Sequence, residues 1–188
     1  MLDKYSCLRK LAEYRRENDI VVSTMSCAAP WAALANGPLD FASVDSAMGH
    51  AADFAYGLAL AQPERRVIVL NGDGSTLMCL GTLVTVAHRP AANFTLVITE
   101  NGTYEVTGNQ PVPGAGTVDF AAMARGAGLD KVYTLSSEEE FDDHLALHFN
   151  VEGPAVFVWK IATATEPVPK PDRPIRERAH RLRACLIG

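Results

Sequence analysis

Several common functional signatures are missing from these 188 residues. No apolar run is long enough to span a bilayer. The opening Met-Leu-Asp-Lys-Tyr lacks the basic-then-apolar order of a secretory signal, so a soluble, cytoplasmic protein is expected. The four cysteines, Cys7, Cys27, Cys79 and Cys185, form no Cys-x-x-Cys pair. Neither a structural zinc site nor a redox dithiol nor cluster ligation is therefore signalled, and free thiols are expected. Acidic residues (22) outnumber Lys and Arg (17), which removes the electrostatic case for nucleic acid. The P-loop pattern is absent, and the dinucleotide fingerprint fails because Leu77 stands at its third glycine.

What is present is an ordinary globular composition, 48% hydrophobic and 21% charged, enough to build a full core. The chain alternates strand-like and helix-like segments. Helices are expected over 5–18, 27–35, 46–61, 75–88, 119–126 and from 136 to about 149, with Asp119 as a cap. Strands are expected over 20–23, 39–44, 66–71, 93–99, 131–135 and 154–161, the longer ones apolar throughout and so buried on both faces. This alternation predicts a three-layer α/β/α fold with a mostly parallel sheet and ligands at the carboxyl ends of its strands. One domain is expected over 1–164. The Pro-rich, basic tail 165–188 should start extended and end in a helix over 175–187, either a solvated terminus or an arm docking on another subunit. His144 and His148, four apart, read as a solvated or half-buried helix face.

The informative segment is the run Val67-Ile-Val-Leu-Asn-Gly-Asp-Gly-Ser75, a buried strand entering a glycine turn that opens a helix. Gly72 and Gly74 permit unusual backbone angles and close approach of a ligand. The amides of Gly74, Ser75 and Thr76, with the helix dipole behind them, suit phosphate. A carboxylate at Asp73 repels phosphate unless a divalent cation lies between them, and magnesium takes such oxygen ligands. The next buried strand ends in Thr99-Glu100-Asn101-Gly102-Thr103-Tyr104. Parallel neighbours place strand ends side by side, so the Asn101 amide oxygen and the Thr103 carbonyl reach the same ion.

Gly72-Asp73-Gly74, followed after 26 residues by Asn101, resembles the signature of thiamine-diphosphate-dependent enzymes. The resemblance covers about 20–161 as one diphosphate-binding (PP) domain. Gly72-Asp-Gly-Ser-Thr-Leu-Met-Cys-Leu-Gly81 and Thr107-Gly-Asn-Gln110 are similar to the 2-oxoacid decarboxylases acting on sulfopyruvate or phosphonopyruvate, although Glu100 stands where many members have Asp or Asn. The resemblance implies thiamine diphosphate and Mg2+ as cofactors. It makes Asp73, Asn101 and Thr103 the metal ligands, and Gly72, Gly74, Ser75 and Tyr104 cofactor contacts. Ser46 would accept a hydrogen bond from the aminopyrimidine, Met48 would bend the cofactor, and residues 23–27 would lie near the terminal phosphate. His50, Tyr104 and Thr107 are candidates for substrate contact. The family's activating glutamate sits on a pyrimidine-binding (PYR) domain, and Glu105, Glu138, Glu139 and Glu140 lie on the wrong half to serve. The expectation is a beta-type subunit of a non-oxidative decarboxylase (a carboxy-lyase), working with a PYR-domain alpha chain in a heterotetramer or larger. Acyloin or acetolactate-type synthesis, 2-oxoacid oxidation and a non-catalytic cofactor-binding subunit remain alternatives.

Overall fold

The computed structural model describes residues 1–43, 48–164 and 174–187. The chain order begins with α1 (Lys4–Tyr14), β1 (Ile20–Ser23), α2 (Ala28–Leu34) and β2 (Asp40–Ala42). It continues through α3 (Ala51–Ala61), β3 (Val67–Gly72), α4 (Asp73–Met78), α5 (Gly81–His88) and β4 (Phe94–Glu100). A short hairpin, β5 (Thr103–Tyr104) and β6 (Gln110–Pro111), precedes α6 (Phe120–Gly126) and β7 (Lys131–Leu135). The chain closes with α7 (Glu138–His144), α8 (Leu147–Asn150), β8 (Ala155–Lys160) and α9 (Ile175–Ile187).

Six strands form one sheet in the order β2-β1-β3-β4-β8-β7, with every pairing parallel. Successive strand residues face opposite sides. Val22, Val67, Val69, Leu96, Ile98 and Val158 meet α3, α5 and α6 on one face. Val21, Ile68, Leu70, Val97 and Phe157 meet Leu8 and Leu11 of α1, Trp31 of α2 and Phe141 of α7 on the other. The expected three-layer α/β/α arrangement is therefore present. After β1 the chain crosses first to one side, for β2, and then to the other, for β3. The crevice between the ends of β1 and β3 is a topological switch point, where such sheets bind ligands.

Local chemistry explains the helix starts. The Asp119 side chain accepts from the Ala122 N–H, as expected of a cap. Ser137 and Glu140 form a reciprocal capping box at α7. Three expectations need correction. The helix over 75–88 breaks at Cys79-Leu80, because Cys79 leaves helical angles and Gly81 starts a second segment. The helix ending near 149 likewise divides into α7 and α8. The segment 100–117 is not all loop, since β5 pairs with β6 inside it. Helix α9 forms over 175–187 as expected, lays Leu182 into the main core and hydrogen-bonds Asn36 through Arg181, so it is not frayed. No helix among the described residues is long and apolar enough to cross a membrane. All four cysteines are free, with Cys7 and Cys27 buried.

His148 departs from the expected solvated or half-buried helix face, being 1% exposed. Its ring stacks on Phe157 at 3.8 Å between centroids. Nε2 accepts a 2.9 Å hydrogen bond from the Trp159 indole, which leaves Nδ1 as the protonated nitrogen, 3.0 Å from the His144 carbonyl. Burial lowers its pKa from 6.5 to about 4. Between those values the unfolded chain binds a proton that the native state refuses, so stability falls as pH drops through that window. The full loss from this one ring is about 3 kcal/mol. Urea unfolding at about pH 7 and about pH 4.5 should show that His148→Gln, whose amide oxygen can still accept from Trp159, loses markedly less stability on acidification than the wild type. Identical pH slopes would show that His148 does not titrate on unfolding.

Candidate functional site

The parallel register sets the site. Gly72 is paired with Thr99, so the first residue beyond β3 meets the turn beyond β4. That residue is Asp73, 2% exposed. One carboxylate oxygen accepts from its neighbour's amide, Gly74, at 2.7 Å. The other accepts from the amides of Asn101, at 3.1 Å, and Gly102, at 2.7 Å. Gly102 has φ +75, a left-handed conformation that turns its N–H toward the carboxylate. The Asn101 side-chain oxygen accepts from Thr103 N–H at 2.9 Å, which fixes the amide within the same turn.

Burial raises the Asp73 pKa above its ordinary value, against the pull of the Gly102, Gly74 and Asn101 amides. None of the ion pairs among the described residues includes Asp73. A buried carboxylate without a counter-ion is costly, and metal coordination is one way proteins compensate it. The neighbouring Asn101 side chain and the Thr103 main chain add neutral oxygens, a hard donor set suited to magnesium. The residues therefore fit the metal–diphosphate group that the sequence implies.

A cleft of about 320 Å³ opens beside this point. Gly72, Asp73, Gly74, Ser75, Asn101, Thr103, Tyr104 and Thr107 line it, so these sequence-level candidates are brought together. Met48 also lines it and is 61% exposed, so it is not a core residue. Met25 and Ser26 come from the turn after β1, with Met25 at φ +47, a conformation uncommon outside glycine. His50 does not line the cleft but stands just outside it, paired with Asp53. Ser46 lies outside the described residues, as does the start of the helix expected from 46.

The glycines act differently from expectation. Gly72 has ordinary extended angles, φ −107 and ψ 163, and a Cβ there would touch nothing within 4 Å. Gly74 is needed for close approach, but by the Tyr104 ring, whose Cε1 would lie 2.4 Å from an added Cβ. Tyr104 thus packs directly on the main chain of the Asp73 turn.

Sequence reasoning missed the support beneath this loop. Lys4 of α1 and Glu105 form a 2.6 Å ion pair with side-chain exposures of 3% and 2%. Burial alone would raise the Glu105 carboxyl, but Lys4, the Ala164 amide and the Ser26 hydroxyl hold it below its ordinary value. Positions 4 and 105 carry no local pattern that links them, so only the tertiary fold reveals the pair. Glu138 and Glu140 are engaged elsewhere, with Lys10 and the α7 cap respectively.

The chain's relationships agree with this geometry. The family described as thiamine pyrophosphate enzyme, C-terminal TPP binding domain, matches residues 21–159. Sulfopyruvate decarboxylase subunit beta of Methanocaldococcus jannaschii is 40% identical over 113 residues, covering 60% of this chain and 59% of that one. Phosphonopyruvate decarboxylase of Streptomyces viridochromogenes is 34% identical over 148 residues, covering 79% of this chain and 36% of that one. The chain thus spans 59% and 36% of the lengths of these two relatives. Benzoylformate decarboxylase from Polynucleobacter necessarius shares the fold, with a TM-score of 0.75 at 20% identity over 88% of this chain and 34% of that one.

Replacing Asp73 by Ala strips three main-chain donors of a charged acceptor, partly offset by relief of the buried charge. Urea unfolding without added metal should show a loss of about 2 kcal/mol. An Asp73→Ala protein as stable as the wild type would mean that this carboxylate does not hold the two strand ends together.

Proposed function

This chain belongs to the thiamine pyrophosphate enzymes, through their C-terminal TPP-binding domain, and from that premise we propose that it is the cofactor-holding, beta-type subunit of a non-oxidative 2-oxoacid decarboxylase. The observation that carries the reading is the buried Asp73 carboxylate, without an ion pair among the described residues, fastened to the Asn101 turn in the lining of one cleft. Asp73, the Asn101 side chain and the Thr103 carbonyl hold Mg2+. The ion's double charge offsets the buried carboxylate and draws in diphosphate oxygens. Gly74 and Ser75, in the first turn of α4, contact the diphosphate. When bound, thiamine diphosphate supplies the electron sink into which a 2-oxoacid loses carbon dioxide.

The remaining residues bind and shield. Met48 and Met78 give the cleft an apolar wall that excludes water, with Met48 against the cofactor's bend. Ser46 offers its carbonyl to the aminopyrimidine. Tyr104 and Thr107 face the cleft and are placed to contact an anionic substrate such as 3-sulfopyruvate or phosphonopyruvate, the classes named by the two relatives. His50 reaches substrate only from the rim. Among the described residues, Glu105 is the glutamate that lines the cleft, and its neutralisation by Lys4 leaves it no free role in activation. The activating glutamate therefore comes from a PYR-domain partner, which covers the exposed side of Met48 in a hetero-oligomer, a heterotetramer or larger.

Titration of thiamine diphosphate into the full chain, with and without Mg2+, tests the metal assignment. Binding should require Mg2+, and Asp73→Asn should weaken it about 100-fold or more. Unchanged affinity in the variant would refute the ligand set. A second assay separates holding from catalysis. The chain loaded with both cofactors should release no carbon dioxide from 3-sulfopyruvate or phosphonopyruvate until a PYR-domain subunit is added, and turnover by the chain alone would remove the shared site.

A further inference from the structure

A second cluster of ligand-bearing side chains comes together outside the Asp73 cleft. His50 stands at the N-cap of α3, Asp53 lies in its first turn, and Cys79 caps the C-terminus of α4. Their ligand atoms all lie within 4.8 Å of one another. His50 Nδ1 is 2.8 Å from Asp53 Oδ2, and Cys79 Sγ is 3.5 Å from Nδ1 and 3.6 Å from Nε2. The other Asp53 oxygen accepts from the Thr82 hydroxyl, which orients the carboxylate from behind.

The backbone brings the two segments together by a specific device. Gly49 has φ +85, and an added Cβ would lie 2.7 Å from Met78 Cβ and 3.1 Å from Cys79 Sγ. Only glycine lets the segment entering α3 run this close to the end of α4. The cluster is therefore a contact the fold is built to make.

We propose that His50, Asp53 and Cys79 form a binding site for a thiophilic divalent cation of the zinc class. One nitrogen, one oxygen and one sulfur make a borderline-soft set, which magnesium does not favour. Bonds of about 2.3 Å to sulfur and about 2.05 Å to nitrogen, at a tetrahedral angle, separate those two ligand atoms by about 3.5 Å. Cys79 Sγ is already 3.5 Å from His50 Nδ1, but it is also 3.6 Å from Nε2 and so lies against the ring. Ligation requires the exposed imidazole to turn until the Nδ1 lone pair points between sulfur and carboxylate. The 2.8 Å His50–Asp53 contact opens by about half an ångström when the cation takes the place of the proton between them. Binding releases the thiol proton to solvent and shifts the imidazole proton from Nδ1 to Nε2, and water takes the fourth position. Thiolate and carboxylate together neutralise the ion.

A nucleophilic role for the same trio is disfavoured. Burial and the Asp53 charge raise the Cys79 pKa, the opposite of an activated thiol. The cation would tie the segments that carry Met48 and Met78, both in the wall of the cleft. It is independent of the Asp73 site and stands whether or not the decarboxylase reading holds.

The test is Co2+ titration of the full metal-stripped chain, followed by competition with Zn2+. The expected result is one equivalent of Co2+ giving a thiolate-to-metal charge-transfer band in the near ultraviolet, displaced by Zn2+. Cys79→Ser should abolish the band. His50→Gln should weaken Zn2+ binding about 100-fold or more, and Thr82→Val by about 10- to 100-fold. Cys185→Ser, which removes the other half-buried thiol, and Asp73→Asn should leave the band intact. No band in the wild type, a band that survives Cys79→Ser, or Zn2+ affinity unchanged in His50→Gln overturns the proposal. His50→Gln keeps the test decisive if Cys79→Ser fails to fold.

Discussion

The structure depends on one buried carboxylate. Asp73 stands at the carboxyl end of the central strand β3 and is held by amides from its own turn and from the turn after β4. Each of those hydrogen bonds is ordinary. Together they bring a charge, an amide side chain and a helix start to one point, and among the described residues no cationic side chain pairs with that charge. A fold that buries a carboxylate in this way bears a desolvation cost unless a cation binds. The proposed metal thus has an electrostatic reason before it has a catalytic one.

The surroundings keep that point rigid on three sides. The sheet holds β3 and β4 in register below it. The Tyr104 ring lies on the Gly74 main chain. The Lys4–Glu105 pair ties the N-terminal helix to the turn that carries Thr103 and Tyr104. The fourth side is apolar and open, with Met48 exposed to 61% and Val106 to 49%. An open cleft of this kind leaves room for a cofactor, in keeping with the TPP-binding domain family to which residues 21–159 belong.

Much of this was legible in the sequence, because the signals were local. Apolar runs gave the strands, Asp119 and the Ser136-Ser137-Glu138 run gave helix starts, and the Gly-Asp-Gly turn with Asn101 gave candidate residues that meet at one cleft. What was not legible depends on pairs far apart in the chain. Nothing near position 148 announces that its imidazole will stack on Phe157 and accept from Trp159, because the residues that bury it come from another strand. The break at Cys79 was hidden because 75–88 is apolar enough to read as one helix. The break coincides with a tertiary contact, where the end of α4 lies against Gly49. What Gly74 accommodates within the chain was hidden for a related reason. A turn sequence shows that close approach is allowed without showing what approaches, and here it is Tyr104.

The most direct test of the central claim is a crystal structure of the full chain with Mg2+ and thiamine diphosphate. The account predicts the ion about 2.1 Å from an Asp73 carboxylate oxygen, the Asn101 side-chain oxygen and the Thr103 carbonyl, with the diphosphate on the amides that open α4. An ion bound elsewhere, or a cofactor seated while the Asp73 carboxylate touches no metal, would contradict it.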